Sequence, residues 1–379
     1  MTQQRLPIPG QTTAIVHLVP HFAKDGNGVV YAATDLACAQ SDAGYSVACI
    51  GNRGGPLEEV LQRRSVAAYV VEAFGHGPLA NLSSLARLFS LLKALHPKVV
   101  HAHTIPTALK AKLLQPLLGY SLVVSAHNGP RLKNFLLGVG DRVICVSAAV
   151  AKDMKRLHIS ESKLRVVKNG PLGSPRRAEV SASLSEVAIS KPAIVTLAGL
   201  HSHKGVADLI EAFAIARKSI PDLSLYILGE GPERSFLQTL ATRLNCDDRI
   251  HFEGFINDPR PYLAHADVFV APSRREAFGL ALAEAREAGC AVIGTNVGGI
   301  PEVLEGGRSG ILVAPRDPAG ISQVLVQLFT NPELLRCWRK RAAANLLWLR
   351  IDRVSRETME IYSEMLPAPD PRRFHRPAA

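Results

Sequence analysis

The 379-residue chain lacks the residue patterns of several common protein classes. Its six cysteines are scattered, and no two lie within four residues of each other, which excludes a zinc ribbon and a Cys-x-x-Cys redox pair. The longest stretch free of Asp, Glu, Lys and Arg, residues 113–130, contains proline and glycine and predicts a broken helix rather than a membrane span. The first twenty residues show no charged-then-apolar signal pattern, so we expect a cytoplasmic protein.

Two nucleotide-binding fingerprints are also missing. Neither a Gly-x-Gly-x-x-Gly turn nor a P-loop follows any strand-like run, and the glycine-containing stretches 25–30 and 51–60 have the wrong spacing. An NAD-dependent oxidoreductase is the alternative interpretation of such a fold, but the chain lacks the dinucleotide-binding motif that it would need. No helix-turn-helix and no interleaving of aromatic and basic residues is present, so we expect no nucleic-acid partner.

The net charge of +11 is unevenly distributed along the chain. Residues 1–177 contain 21 Lys and Arg against 9 Asp and Glu, a net charge of +12, whereas residues 178–366 contain 20 against 23. A basic first half is compatible with a nucleic acid, an anionic membrane surface or a phosphorylated substrate.

Short apolar, β-branched runs alternate with helical patterns along the whole chain. Seven strand candidates lie between residues 14 and 170, and six more lie between residues 193 and 314. Strands that are apolar on both faces and alternate with helices indicate an α/β fold with parallel sheets. We predict Rossmann-like domains at 1–175 and 193–350, a linker at 176–192, and a disordered tail at 367–379.

Ligands of open parallel sheets bind at the carboxyl ends of the strands, so the loops after the strands are the candidate sites. Gly28, just before a helix, gives an anion room to approach that helix N-terminus; a tight loop without a ligand is the alternative. Lys204 is predicted to open a helix, where its charge opposes the helix dipole. We expect it to bind an anion rather than to be a solvated surface lysine.

Two carboxylates follow another strand, in "APSRREAFGLALAEAREAGCAVIGTNVGGIPEVL". Glu276 precedes a predicted helix and Glu284 lies within it, where both are suited to accept hydrogen bonds from sugar or ribose hydroxyls. Alternatively, Glu276 interacts with the helix N-terminus and Glu284 is solvated. That alternative does not explain the "GGIPE" after the next strand, where Gly298 and Gly299 are predicted to open another short helix.

This stretch resembles the signature of the family-4 glycosyltransferases, also called glycosyl transferases group 1, and Glu276 and Glu284 match the family's E-x7-E motif. "DGNGVVYAATDLACAQSDAGYSVACIG", "VVHAH", "VVSAHNG" and "VICVSAAVAKDM" are similar to its other segments, so the resemblance covers nearly the whole chain. It implies a GT-B fold, in which two Rossmann-like parallel-sheet domains face each other across a cleft. It also implies that a helix at 351–366 returns to the N-terminal domain.

The resemblance implies a retaining enzyme that uses a nucleotide-diphosphate sugar and needs no further cofactor. We expect no required metal ion, because no Asp-x-Asp motif is present in a loop. The implied roles are ribose binding by Glu284, binding of the donor sugar by Glu276 and His127, backbone contacts from Phe278, Gly279 and Leu280, and diphosphate binding by Lys204 with space at Gly28.

One departure from the family pattern bears on activity. Gly199 stands where an arginine is expected, which removes one positive charge from the diphosphate site. His201, His203 and Arg274 are candidates to replace it. The alternative to an enzyme is a nucleotide-sugar-binding protein with impaired catalysis.

The acceptor is implied to be a glycan or a lipid-linked molecule held by the N-terminal domain. Arg131 and Lys133 lie beside Phe135, Leu136 and Leu137, a mixture suited to the boundary between headgroups and acyl chains. We therefore predict peripheral binding to an anionic membrane surface, on the inner face of the cell membrane. The alternative is ordinary solubilising charge with the leucines buried in the core.

Overall fold

The computed structural model describes residues 14–71, 78–129, 131–178 and 187–366. The predicted tail at 367–379 and the central part of the predicted linker lie outside these residues. Within the described ranges, none of the helices combines the length and the apolarity that crossing a bilayer would require.

The first domain is a seven-stranded parallel sheet with helices on both faces, in the strand order β3-β2-β1-β4-β5-β6-β7. Its strands are β1 Ile15–Val19, β2 Val47–Gly51, β3 Ala67–Val70, β4 Val99–Ala102, β5 Ser121–Ala126, β6 Arg142–Cys145 and β7 Leu164–Val166. Its helices are α1 Gly28–Asp42, α2 Leu57–Arg63, α3 Pro78–Leu95, α4 Ile105–Leu118, α5 Ala148–Arg156 and the single turn α6 Pro175–Ala178.

The second domain repeats this plan in a six-stranded parallel sheet, in the order β10-β9-β8-β11-β12-β13. Its strands are β8 Ala193–Leu197, β9 Ser224–Leu228, β10 Ile250–Gly254, β11 Val268–Ala271, β12 Ala291–Thr295 and β13 Ile311–Val313. Its helices are α7 Val206–Ala216, α8 Arg234–Arg243, α9 Arg260–His265, α10 Leu280–Glu287, α11 Ile300–Val303, α12 Pro318–Thr330 and α13 Pro332–Ala342. The last helix among the described residues is α14 Ile351–Ser363.

The two parallel sheets confirm the predicted α/β fold class. Every predicted strand is present. Strands such as β1, β2, β4 and β9 are buried along their whole length, whereas the edge strands β3 and β7 are partly exposed. Several strands are shorter than the apolar runs that contain them: the runs 142–147, 164–170 and 267–273 leave the sheet at Cys145, Val166 and Ala271. The residues that follow form the loops at the domain cleft.

Residues 332–349 do not form one continuous helix. Helix α13 ends at Ala342, and a 3-10 turn follows at Leu347–Leu349. The cause is the fully buried guanidinium of Arg286 on α10, which donates hydrogen bonds to the carbonyl oxygens of Ala342 and Ala344 at 2.9 and 2.7 Å. A continuous helix would have used the first of these acceptors internally.

Helix α14 follows the second domain in sequence but packs against α1 of the first domain. Val354 and Ile361 join the same apolar cluster as residues of α1. The hydroxyl of Tyr362 is 2.6 Å from Nδ1 of His101 in β4. Just beyond the helix, Glu364 pairs with Arg142 and Arg165, which keep the pKa of its carboxyl near 2.

Three histidines occupy the core of the first sheet beneath its carboxyl edge. His17 of β1 lies beside His101 of β4 in the parallel register, and His103 follows two residues later; all three are buried. Burial lowers the pKa of His17 from 6.5 to about 4 and lowers the pKa of His101 and His103 well below the usual value. The folded protein therefore holds these rings neutral.

Acidification should destabilise the protein through this cluster. A histidine whose folded pKa lies below its unfolded pKa contributes its full stability above pH 6.5 and loses it as the pH falls toward 4, because the unfolded chain then binds more protons. For His17 alone, we expect the free energy of unfolding in urea to fall by about 2 kcal/mol between pH 7.5 and pH 5.

The exposed His96 provides the matched control. The variant His96→Asn should show the same pH dependence as the wild type, whereas His17→Gln should show a weaker one. Equal stability of the wild type at both pH values would contradict a neutral buried cluster.

Candidate active site

Both domains place their site loops where the strand order reverses. In the first sheet this point lies between β1 and β4, and in the second it lies between β8 and β11. Loops that leave neighbouring strands in opposite directions open a crevice there. The two crevices meet: a Cβ built on Gly28 of the first domain would lie 3.4 Å from Leu280 of the second. One narrow pocket between the domains is lined by His103, His127, Leu280 and Thr358.

Lys204 and Glu276 form an ion pair on the second-domain side of the cleft. The Lys204 Nζ atom lies 2.6 Å from the Glu276 carboxylate, and both side chains are largely buried. Lys204 does not open a helix as predicted: it lies in a 3-10 turn, and α7 begins at Val206. Gly205 adopts φ +68°, and a Cβ there would overlap the carbonyl oxygen of Pro272. The close approach of these two loops brings the lysine to the glutamate.

The glycine pair after β12 supports the loop that carries Glu276. Gly298 has φ +52°, and a Cβ there would overlap the carbonyl oxygen of Glu276. The amide of Gly299 donates a hydrogen bond to that same oxygen at 3.1 Å, and α11 follows as predicted. The two glycines of "GGIPE" are therefore needed because the Glu276 loop packs directly on their backbone.

The residues after Glu276 lead into helix α10. Phe278 is buried and meets Trp348 edge to face, with ring centroids 6.3 Å apart. Gly279 takes φ +104° at the N-cap and Leu280 is the first helical residue. In the described part of the chain, the amides of these three residues have no hydrogen-bond acceptor, so they remain available to an anion at the helix N-terminus.

Glu284 faces the first domain from the second turn of α10. Although burial opposes the charge of Arg176, Asp35 and then Glu284 hold the pKa of that guanidinium above its usual value. Arg176 binds both carboxylate oxygens of Asp35 at 2.8 Å and stacks on the ring of Tyr31 at 4.1 Å. Sequence analysis did not predict this cluster, because "PRRA" lies at the edge of the stretch predicted to be a linker.

The first-domain side contributes the glycine loop and His127. Asn27 caps α1 by accepting a hydrogen bond from the amide of Val29 at 3.0 Å, which places Gly28 at the start of the helix. His127 follows β5, and its Nε2 atom lies 3.0 Å from Nδ1 of His103. Burial lowers the pKa of His127 to about 4, so it enters the cleft as a neutral ring.

Two contacts that sequence reasoning missed join the domains beside Glu276. The Ser147 hydroxyl, which also caps α5, donates to the carbonyl oxygen of Ala277 at 2.7 Å. The carboxylate of Glu302 accepts hydrogen bonds from the amides of Ala148 and Ala149 at 3.1 and 2.9 Å. Because Glu302 lies in a short helix of the other domain, its sequence position does not indicate that it binds the N-terminus of α5.

The three residues considered as replacements for the missing arginine differ in their surroundings. Arg274 is bound by both carboxylate oxygens of Asp208, at 2.9 and 2.6 Å. Burial and then the charge of Lys204 lower the pKa of His203. His201 is exposed and stacks on His203. At Gly199 itself, an added Cβ would make only ordinary contacts, so the position has room for a side chain.

The three histidines of the core offer nitrogen atoms within 4.8 Å of one another, a spacing that could hold a metal ion. Both nitrogens of His17 and of His101 already have hydrogen-bond partners in the protein. The cluster lies beneath the cleft rather than beside Lys204 and Glu276. The expectation of a metal-independent reaction stays a prediction.

Comparison with known proteins gives matches along most of the chain. The family described as Glycosyl transferases group 1 matches residues 185–345, and Glycosyltransferase Family 4 matches residues 26–170. N-acetyl-alpha-D-glucosaminyl L-malate synthase of Bacillus anthracis is 26% identical over 310 residues, which is 76% of this chain and 80% of that protein. The lipopolysaccharide core biosynthesis glycosyltransferase LpsE of Rhizobium meliloti is 29% identical over 51% of this chain and 55% of its own length.

Solved structures show the same fold at low sequence identity. Anabaena Alr3699/HepE in complex with UDP and glucose superposes with a TM-score of 0.79 at 18% identity, covering 93% of this chain and all of that one. WaaG, described as a glycosyltransferase involved in lipopolysaccharide biosynthesis, gives a TM-score of 0.71 at 17% identity, over 92% and 99% of the two chains.

Replacing Gly298 should disturb the Glu276 loop. We expect Gly298→Ala to lower the free energy of unfolding by about 3 kcal/mol or more. The added methyl group would overlap the carbonyl oxygen of Glu276, so the loop would have to move. Gly306 has a similar φ of +69° with open space around its Cβ, so Gly306→Ala should cost only about 1 kcal/mol of backbone strain. Equal losses in urea unfolding would contradict the packing argument.

Proposed function

The chain belongs to the group 1 glycosyltransferases of family 4, and we propose that it moves a sugar from a nucleotide-diphosphate sugar to a hydroxyl group of a glycan or lipid-linked acceptor. The observation that carries this proposal is the Lys204–Glu276 ion pair beside the available amides at the start of α10. A cation and free N–H groups suit a diphosphate, and a carboxylate suits sugar hydroxyls. The structural relative HepE is described in complex with UDP and with UDP-glucose.

The ion pair gives a physical account of how a donor binds. A diphosphate that reaches Lys204 replaces Glu276 as the partner of the ammonium group, and Glu276 is then free to accept hydrogen bonds from the sugar. Cleavage of the anomeric C–O bond builds negative charge on the diphosphate, which Lys204 and the N-terminus of α10 stabilise. Each such group supplies about 3 kcal/mol in comparable sites.

The family resemblance also bears on the finer features of the reaction. We propose retention of the anomeric configuration, with the acceptor hydroxyl attacking from the face of the leaving group and the β-phosphate taking its proton. Lys204 and the backbone amides supply the positive charge for the diphosphate, so the proposal needs neither a metal ion nor another cofactor. Closure of the two domains around the donor would exclude water.

The alternative is a protein that binds nucleotide sugars with impaired catalysis. Two observations favour it: Gly199 contributes no charge, and the guanidinium of Arg274 is already bound by Asp208. Binding of a nucleotide sugar without hydrolysis or transfer would support this alternative over the enzyme.

Screening UDP-, GDP- and ADP-sugars for thermal stabilisation and for turnover tests both functions together. With the donor so identified, Lys204→Ala should lower the rate by about 30- to 1000-fold, and Glu276→Ala should reduce turnover more than nucleotide affinity. The exposed Lys218 serves as the charge-matched control, and Lys218→Ala should leave the rate unchanged. A Lys204→Ala rate within about twofold of wild type would rule out its diphosphate role.

A second surface of the first domain bears on the acceptor. Helix α4 exposes Leu109, Leu113 and Leu117, which share one face at a spacing of four residues, and the last two are 63% and 72% exposed. Leu132 and Phe135 lie in the 3-10 segment that packs against α4, and Leu132 is 80% exposed. We call these five residues the α4 patch.

The α4 patch differs in part from the surface predicted from the sequence. Leu137 was expected at the membrane boundary but belongs to the core, with 5% exposure, so the alternative of a buried leucine holds for that residue. Leu136 is half-buried, whereas Arg131 and Lys133 are exposed beside Leu132. We propose that the α4 patch binds an anionic membrane surface, because it combines bulky apolar side chains with the cations of a domain that carries a large positive charge.

Co-sedimentation with anionic and neutral liposomes at low and high salt tests this surface. We expect salt-sensitive binding to anionic liposomes only, and a loss of at least tenfold in affinity when Leu113 and Leu117 are both changed to Gln. Leu347 is 78% exposed outside the patch, so Leu347→Gln should bind as the wild type does. Absence of binding at low salt, or a patch-dependent dimer in solution, would overturn the membrane proposal.

A further inference from the structure

A buried chain of hydrogen bonds runs from Gln40 on α1 to His127 in the cleft. The Gln40 Oε1 atom lies 2.7 Å from Nε2 of His17, and Nδ1 of His17 lies 3.0 Å from Nε2 of His103. Nδ1 of His103 lies 3.0 Å from Nε2 of His127. Gln40, His17 and His103 are buried, so these bonds join protein groups to one another rather than to solvent.

The glutamine determines which group donates and which accepts in each of these hydrogen bonds. Its amide nitrogen points toward the sulfur of Met359 at 3.6 Å, so its carbonyl oxygen faces His17. A carbonyl oxygen only accepts hydrogen bonds, and Nε2 of His17 must therefore carry the proton.

Because the rings are neutral, the assignment of donor and acceptor nitrogens in one histidine fixes the assignment in the next. A neutral imidazole has one N–H donor and one acceptor nitrogen, and burial holds the pKa of all three rings well below neutral pH. Nδ1 of His17 is thus an acceptor, so Nε2 of His103 is the donor to it. By the same reasoning, Nδ1 of His103 accepts from Nε2 of His127.

We propose that Gln40, acting through His17 and His103, fixes His127 in the tautomer whose Nδ1 atom is an acceptor, so that this ring selects a donor sugar with a hydroxyl group at that position over one with a carboxylate. In the described part of the chain, no group is hydrogen-bonded to Nδ1 of His127. The inference rests on the proposed function for the identity of the ligand, but the tautomer itself does not. Gln40 is a positioning residue in this scheme, far from the reacting atoms.

An acceptor nitrogen at Nδ1 of His127 favours a sugar hydroxyl over a carboxylate. A sugar hydroxyl can donate a hydrogen bond to an acceptor nitrogen, whereas the carboxylate of a uronic acid is an acceptor only and would place two acceptors face to face. A neutral ring also offers a carboxylate no charge attraction. The cost of an unmade hydrogen bond in a buried site corresponds to a preference of at least tenfold.

His101 provides an internal control. Its ring stacks on His103 with centroids 4.3 Å apart. Its nitrogens, however, bond to Tyr362 and Ser125 at 2.6 and 2.7 Å, so His101 is not part of the series of hydrogen bonds from Gln40 to His127. Ser125→Ala removes a partner of His101 without touching Gln40 and should therefore leave the tautomer of His127 unchanged. Gln40→Met, which keeps the side-chain length and removes the acceptor, should change it.

The first arm of the experiment is spectroscopic and needs no ligand. Long-range proton–nitrogen correlation spectra of the full chain labelled with 15N-histidine report which ring nitrogen carries each proton, and the spectrum of a His127→Phe variant assigns the signal. We expect the proton of His127 on Nε2 in the wild type and in Ser125→Ala, and a mixture of tautomers in Gln40→Met.

Three spectroscopic outcomes would overturn the proposal. They are a proton on Nδ1 of His127 in the wild type, an unchanged tautomer in a folded Gln40→Met, and histidine signals that change when a chelator removes zinc from the protein. The wild-type spectrum alone decides the first of these if Gln40→Met does not fold.

The second arm uses the donor found in the nucleotide-sugar screen, paired with the matching uronate. We expect kcat/KM to favour the hydroxyl-bearing donor by tenfold or more, and Gln40→Met to lower kcat/KM for that donor by about 5- to 30-fold and to narrow the preference. Equal use of both donors by the wild type would overturn the selectivity. If no nucleotide sugar binds at all, the proposed function fails while the tautomer result stands.

Discussion

Three contacts to its backbone hold the loop that carries Glu276 in place, and the geometry of the cleft depends on them. Pro272 meets the backbone of Gly205, the carbonyl oxygen of Glu276 lies against Gly298, and the Ser147 hydroxyl binds the next carbonyl from the other domain. Each contact requires either a glycine or a hydroxyl at one position. Their combined effect is to place Glu276 against Lys204 across two loops that are 72 residues apart in sequence.

The same loop also links the site to the relative position of the domains. Ser147 and the amides at the start of α5 belong to the first domain, whereas Ala277 and Glu302 belong to the second. A carboxylate at a helix N-terminus satisfies amides that otherwise have no partner and interacts favourably with the helix dipole. The domain contact therefore lies directly beside the group proposed to hold the donor sugar, and any opening of the cleft must break it.

The buried histidines show a different use of polar groups. Neutral rings and a glutamine in a core contribute little to stability beyond their hydrogen bonds, and they lose that contribution when protonated. What a hydrogen-bonded chain of this kind provides is direction, because every neutral ring must donate at one nitrogen and accept at the other. Direction set at Gln40, deep in the first domain, thereby reaches the surface of the cleft at His127.

The sequence by itself determined the number of strands in each sheet, the glycine positions and the residues of the family motif, because these depend on local pattern and on short spacings. Only the tertiary structure decided which groups become partners: Lys204 with Glu276, Glu302 with helix α5, and Gln40 with His127 through two other rings. It also placed Leu137 in the core while leaving Leu132 exposed, and it ended α13 where Arg286 takes up the carbonyl of Ala342. Burial and pairing across tens of residues depend on how the sheets and their loops pack, and a local pattern of apolar and charged residues carries no record of that packing.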